Sequence, residues 1–235
     1  VACAGRVHGI VPESWRRSTR MVAIAVGLFA ALASPALGAG PLRQLSETLL
    51  EPARPRELSA PSKPLATSAD GSIAAVGDAN FRDESRLDLS GAVHILERSG
   101  DTWTRRQILH APDAHFGQRF GNAVAMSADG SELLIGARLD DDPGFATGAA
   151  YIFEREAGAY VFRQKLQAPD RAPDALFGAN VALAADGSLA VISATGAMVD
   201  GMATGKAYVF ERGPTRWDHS SDLVGSSLEP ERRFG

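Results

Sequence analysis

The sequence predicts an all-β chain, a β-propeller made of four-stranded antiparallel blades, with about three blades present. Three observations predict it. The chain repeats: GAVHILERSGDTWTRRQILHAPD from Gly91, GAAYIFEREAGAYVFRQKLQAPD from Gly148 and GKAYVFERGPTRWDHSSDLVG from Gly205 align with their glycines 57 residues apart. An Asp-Gly pair stands between two short apolar runs in every unit, at Asp70-Gly71, Asp129-Gly130 and Asp186-Gly187. Beyond residue 40, no apolar period of the helical kind lasts more than two turns. Four strands per unit, with the last the most polar, describe a blade, and a blade buries its faces only against neighbours.

The chain opens with a leader. Residues 1–20 read as an upstream, non-structured stretch, and 21–38 as a secretory signal peptide. Arg16, Arg17 and Arg20 precede an apolar run from Met21 to Ala33, which gives way to small residues ending at Ala36-Leu37-Gly38. That run is too short to cross a bilayer, so no membrane span is expected in the mature chain. Cys3, the single cysteine, falls in the leader, which leaves no disulfide framework. Removing Arg6, Arg16, Arg17 and Arg20 against Glu13 makes the mature chain more acidic than the whole, whose net charge is -4. Such a chain is expected to be exported and to have no nucleic-acid partner.

The repeat region is expected over 44–235, in units of approximately 61–113, 120–170 and 177–233, with a further unit beginning at 234. The second unit shows the strands best. Residues 122–127 set Val124 and Met126 against the small Ala123 and Ala125, as a half-buried strand does. Asp129-Gly130 then predicts a two-residue primed turn, since both residues tolerate positive φ. Residues 133–137, LLIGA, are continuously apolar and fit a strand buried on both faces. The third strand, 149–155, puts Tyr151 and Phe153 on one face, and the fourth, 160–166, alternates Tyr160 and Phe162 with Val161 and Arg163. The 24 glycines, above the usual share of roughly 7%, are placed by this period at turns and strand starts.

The motifs resemble a family. Phe120-Gly121 with Gly136-Ala137, and Phe177-Gly178 with Ser193-Ala194, resemble the FG-GAP repeats of integrin α-subunit propellers and of bacterial exported proteins. Gly-x-Ala-Tyr-x-Phe-Glu-Arg at 148–155 and 205–212, and Leu-x-Ala-Pro-Asp at 109–113 and 166–170, support the likeness. Ala79, Arg138 and Thr195 stand where the family has proline. The resemblance implies a ring of seven blades, so this chain is expected to be part of a longer one, or else to need further copies. It also implies that the Phe packs between blades and that the following Gly permits close backbone approach.

Calcium is the cofactor the resemblance raises. Integrin-type hairpins hold it with several carboxylates, because a hard cation needs oxygen ligands. Aligned on Asp-Gly, the ligand positions here are Ala66, Ser68 and Ala74, then Ala125, Ser127 and Leu133, then Ala182, Ala184 and Ala190. No calcium and no other cofactor is therefore expected. Asp140-Asp141-Asp142, in the loop before the third strand, read either as cation ligands or as solvated acids. Adjacent side chains rarely converge on one centre, so solvated acids are the expectation.

No catalytic residue is assigned. His8 lies in the leader, His110 and His115 flank an inter-blade turn, and His94 takes the packing slot of Tyr151 and Tyr208; His219 is the fifth histidine. Nucleophile-elbow, zinc-protease and phosphate-loop patterns are lacking. The expected function is an exported, non-enzymatic scaffold or adhesion module presenting blade-face loops to a protein or glycan partner. The alternative is an exported hydrolase or lyase with its active site at the propeller's central mouth.

Overall fold

The strands of the second unit form almost where side-chain alternation places them. The computed structural model describes residues 63–82, 89–142, 144–225 and 234–235. The expected leader and signal peptide, Cys3 and the repeat region before residue 63 lie outside the described residues. Among those residues there is no helix. Blade 1 is a sheet in the order β1 (Leu65–Thr67), β2 (Ile73–Asp78), β3 (Ala92–Ser99) and β4 (Thr102–Leu109). Blade 2 repeats it with β5 (Phe120–Met126), β6 (Glu132–Ala137), β7 (Ala149–Glu156) and β8 (Ala159–Leu166). Blade 3 uses β9 (Phe177–Leu183), β10 (Leu189–Ala194), β13 (Lys206–Arg212) and β14 (Trp217–Leu223), and β11 (Met198–Val199) with β12 (Met202–Ala203) makes a small separate hairpin. All strand pairings within the sheets are antiparallel, consistent with part of a β-propeller, and single parallel bridges, Gly91 to Phe120 and Gly148 to Phe177, join one blade to the next.

Burial follows the predicted gradient. Strand β6 is buried throughout, whereas β8 exposes half of its residues. The outer pair carries the same β-bulge in each blade, between Ile95 and Leu96, Ile152 and Phe153, and Val209 and Phe210. An extra residue there adds twist to the outer edge of the blade.

The Asp-Gly hairpin differs from the primed turn expected of it. Ser127 N–H donates to Glu132 O at 3.0 Å and Gly130 N–H to Ser127 O at 3.0 Å, closing a loop over 128–131. Gly130 alone is left-handed there, with φ 70°. Asp129 keeps an ordinary backbone and works through its side chain: Oδ1 accepts from Ser127 Oγ at 2.7 Å, Ser131 N at 2.9 Å and Ser131 Oγ at 2.8 Å. Those bonds, the one from the Ser131 backbone foremost, hold its carboxyl at about 2, below the usual carboxylate range. Two-residue turns with positive φ at both residues occur instead at Ala157-Gly158, φ 48° and 88°, joining β7 to β8, and at Asp200-Gly201, φ 51° and 80°, joining β11 to β12.

Phe-Gly makes the seams, as expected. Phe120 is fully buried among Ile73, Ala75, Val93 and Ile95 of blade 1 and Leu133 and Ile135 of its own blade. Its ring meets those of Tyr151 and Phe153 edge-on, at 5.4 and 6.1 Å. Phe177 repeats both contacts with Tyr208 and Phe210. The next residue has to be glycine: at Gly178, φ 85°, a Cβ would lie 2.2 Å from Ala149 O.

Polar ties cross the same seams. Gln107 clamps Tyr160 through Nε2 to its carbonyl at 2.9 Å and Oε1 to its N–H at 2.8 Å. Gln164 does the same to Trp217, at 2.8 and 2.7 Å. Arg155 pairs back to Glu97 at 2.5 Å, and Arg212 to Glu154 at 2.8 Å. At the hairpins, Ala69 N–H donates to Ala128 O at 2.7 Å, and Ala128 N–H to Ala185 O at 2.8 Å.

Candidate functional site at the loop end

Antiparallel order sends the Asp-Gly hairpins to one end of each blade and the longer loops to the other. Backbone bonds knit the longer loops together: Gly117 N–H to Leu89 O, Leu139 N–H to Gln118 O, Asp174 N–H to Phe145 O and Gly196 N–H to Ala175 O, at 3.0–3.3 Å. Left-handed backbone outside glycine concentrates here, at Arg119, Ala146, Arg171, Asp174, Leu176 and Asp200. These loops expose large apolar side chains to solvent, Phe116 at 70% and Phe145 at 71%, with Leu89 and Met198 less so.

The loop that carries Phe145 also contributes to a buried polar node. Strand β7 delivers Tyr151, whose hydroxyl is 2.8 Å from Asp113 Oδ1 and 2.7 Å from Asp140 Oδ2. Gln118 Nε2 donates to Asp140 Oδ2 at 2.5 Å and to the Tyr151 hydroxyl at 2.6 Å. Lys165, from β8, places Nζ at 2.6 Å from Asp113, 3.0 Å from Asp140 and 3.3 Å from Asp142. The loop is pinned further by Ala146 N–H to Asp141 Oδ1 at 2.7 Å and Gln167 Nε2 to Asp142 O at 2.5 Å.

This corrects the expectation of solvated acids for Asp140 to Asp142. The Asp140 side chain is 0% exposed, and it is satisfied by Gln118, Tyr151 and Lys165. Asp142 does reach solvent, yet it too faces the ammonium. Adjacent aspartates do not converge by themselves. Asp140 turns inward while the loop brings Asp142 round to Lys165, with Asp113 arriving from the preceding inter-blade loop.

The electrostatics make the node a clamp rather than a reactive centre. Burial, followed by the neighbouring carboxylates, pushes the Tyr151 hydroxyl well above the usual phenol range, so it stays protonated. Burial opposes charge on Lys165, but its bonds to Asp113 and Asp140 outweigh that and raise it. A lysine held this firmly as ammonium has no lone pair for nucleophilic attack.

Blade 3 carries a reduced version. The Tyr208 hydroxyl is 2.9 Å from both oxygens of Asp170, and Lys206 Nζ is 3.0 Å from Asp170 and 3.9 Å from Asp222. In blade 1 the tyrosine slot holds His94, edge-on to Phe81 at 5.3 Å, and burial drops its imidazole to about 4. Of the other histidines, His115 Nε2 accepts from Asp141 N–H at 3.4 Å, and His219 packs on Tyr208 and Phe210 beside Asp222. The structure brings none of these histidines to a common centre with an acid and a nucleophile among the described residues. The Tyr–Asp pairs were not read from sequence, although a signal existed: Asp113 and Tyr151 keep the spacing of Asp170 and Tyr208.

Comparison with known families settles the repeat. The FG-GAP repeat model matches residues 103–153 and again 160–210. This chain carries FG-GAP repeats. Each FG-GAP match runs from the outer-strand aromatic of one blade, Trp103 or Tyr160, to the third strand of the next, so the family's unit straddles a seam. A comparison with curated proteins returns no match. Among solved structures, the FG-GAP chain is similar to a putative 6-phosphogluconolactonase from Bacteroides uniformis, at 19% identity and a TM-score of 0.45, over 68% of this chain and 39% of that one. It is also similar to the tricorn protease, at 11% identity and a TM-score of 0.41, over 67% of this chain and 14% of that one. The chain thus spans well under half the length of either.

Proposed function

We propose that the chain is an exported, non-enzymatic binding module that presents its loop end to a protein or glycan partner. One observation carries the reading: Phe116 and Phe145 stand in solvent on loops pinned by backbone and side-chain hydrogen bonds. Exposed large apolar side chains on a pinned framework are what a recognition surface offers, because little backbone entropy remains to be lost on binding. The Tyr151–Asp140–Lys165 node supports a non-catalytic role, since its ionisable groups are engaged with one another.

The Asp-Gly hairpins read as metal-free. Leu133, Ala74 and Ala190, at the last ligand position of the family's calcium loop, are core side chains without oxygen, and the Asp129 carboxylate is taken up by two serines. No helix of the described residues is long and apolar enough to cross a membrane.

The test is to screen the purified chain against immobilised proteins and a glycan array, beside a panel of glycoside and ester substrates. A ligand bound by the native chain, and lost in Phe116→Ala plus Phe145→Ala with melting unchanged, supports the reading. Turnover of a substrate by the native chain, unaffected by that pair, overturns it in favour of an active site at the mouth.

A further inference from the structure

Blades 2 and 3 both place an ammonium at the loop end, but they do not draw it from the same strand. Lys165 comes from β8, and its counterpart 57 residues on is Asp222. Lys206 comes from the start of β13, and its counterpart 57 residues back is Ala149. The lysine has exchanged strands, and an acid has taken the vacated place. Even so, Lys165 Nζ lies 5.6 Å from the Tyr151 ring centroid and Lys206 Nζ lies 5.8 Å from that of Tyr208. Each also bonds the aspartate that holds the tyrosine hydroxyl, at 2.6 Å to Asp113 and 3.0 Å to Asp170.

If the lysine mattered for its packing, its position in the repeat would be kept. What is kept is the location of positive charge over the tyrosine ring and against the aspartate. The reason is electrostatic: an aspartate drawn into a half-buried site needs a cation as well as a hydroxyl, and the face of the ring adds its own attraction for one. In blade 2 the surroundings go further. Asp113, Asp140 and Asp142 converge from two loops on the single ammonium, and Gln118, wholly buried and donating into the same group, leaves its Oε1 without a partner. Three carboxylates thus face one positive centre, and the chain supplies that charge from its own lysine.

We propose that the loop end of blades 2 and 3 is a cation site filled by a lysine of the chain, Lys165 or Lys206, in place of a free ion. The tethered ammonium fixes the loop without depending on the metal content of the surroundings. This site lies at the opposite end of the blade from the Asp-Gly hairpins.

A charge-exchange cycle in blade 3 tests it. Lys206→Ala alone leaves two aspartates beside Tyr208, and Asp222→Lys alone leaves two lysines. Each is expected to lower the melting temperature by about 3 °C or more. The pair Lys206→Ala plus Asp222→Lys recreates the blade 2 arrangement and is expected to recover most of the loss. Failure of both singles to fold while the pair folds gives the same answer. Losses that merely add in the pair, or singles that melt like the native chain, overturn the proposal. In blade 2, Lys165→Ser is expected to lose stability in EDTA and to regain it with calcium chloride at millimolar concentration, while the native chain melts alike in both. A Lys165→Ser chain that ignores calcium overturns the equivalence with a free ion.

Discussion

Two glycines with nearly the same backbone have very different surroundings. Gly178 at φ 85° and Gly158 at φ 88° are both left-handed, but Gly178 abuts Ala149 O, whereas a Cβ at Gly158 would meet nothing within 4 Å. Gly178→Ala is therefore expected to destabilise by at least about 3 kcal/mol, through clash as well as strain. Gly158→Ala is expected to lose only about 1 kcal/mol. Urea midpoints of the two variants check the ordering. The sequence distinguishes these glycines only because one follows Phe in a repeat; the carbonyl that forbids a side chain comes from another blade. His94 offers a second test. Its imidazole titrates near 4 when folded against about 6.5 when free, chiefly because it is buried. Between those values the unfolded chain holds a proton that the folded chain does not, so His94 makes stability fall as pH drops from about 6.5 towards 4. Stability measured across that range in His94→Phe is expected to decline less steeply than in the native chain.

Among elements, the seam between blades 2 and 3 contains an irregularity. Where blade 1 has Ile73 and blade 3 has Leu189, strand β6 begins with Glu132, its side chain 2% exposed and paired with Arg212 Nη1 at 2.5 Å. Burial raises its carboxyl above the usual range despite the Arg212 charge, with Glu154 and Asp129 adding repulsion. Arg212 keeps Glu154 as a partner when Glu132 is removed, so no charge is stranded. Glu132→Leu is accordingly expected to stabilise by about 1–3 kcal/mol at pH 7. The gain should shrink in acid, where native Glu132 takes up a proton and its penalty fades. Thermal unfolding of both chains at pH 7 and pH 4.5 checks both statements. Strand limits were legible in the sequence because burial on a sheet alternates with a fixed period. The hairpin type was not legible: Asp-Gly is compatible with a primed turn, and the flanking Ser127 and Ser131, which redirect the Asp129 carboxylate, act through side-chain bonds outside that rule. Nor was the Asp140 node, since loops obey no period and Lys165 reaches it from a strand that reads as merely polar.

For the molecule as a whole, the period carried nearly everything that sequence could supply. It gave three blades and the aromatic seams, because Phe120 and Phe177 recur with their glycines. It did not give the Gln107 and Gln164 clamps or the Glu97–Arg155 and Glu154–Arg212 ties, although all of them recur with the same period. Their partners lie in different units, and repetition within a unit does not reveal which neighbour a polar side chain addresses. These ties have a kinetic consequence at the Asp-Gly hairpins. The Ala128 amide sits in a surface turn, the sort of place where deuterium usually enters within seconds. Its proton, however, is handed to Ala185 of the next blade, and its carbonyl receives that of Ala69 from the previous one. Exchange there demands that two blades part, so Ala128 is expected to retain its hydrogen as long as the buried strand β6 does, while Gly158, in a turn between strands of one blade, loses its own early. Site-resolved hydrogen exchange reads the difference directly. Equal, rapid exchange at both turns would mean that the blades open independently.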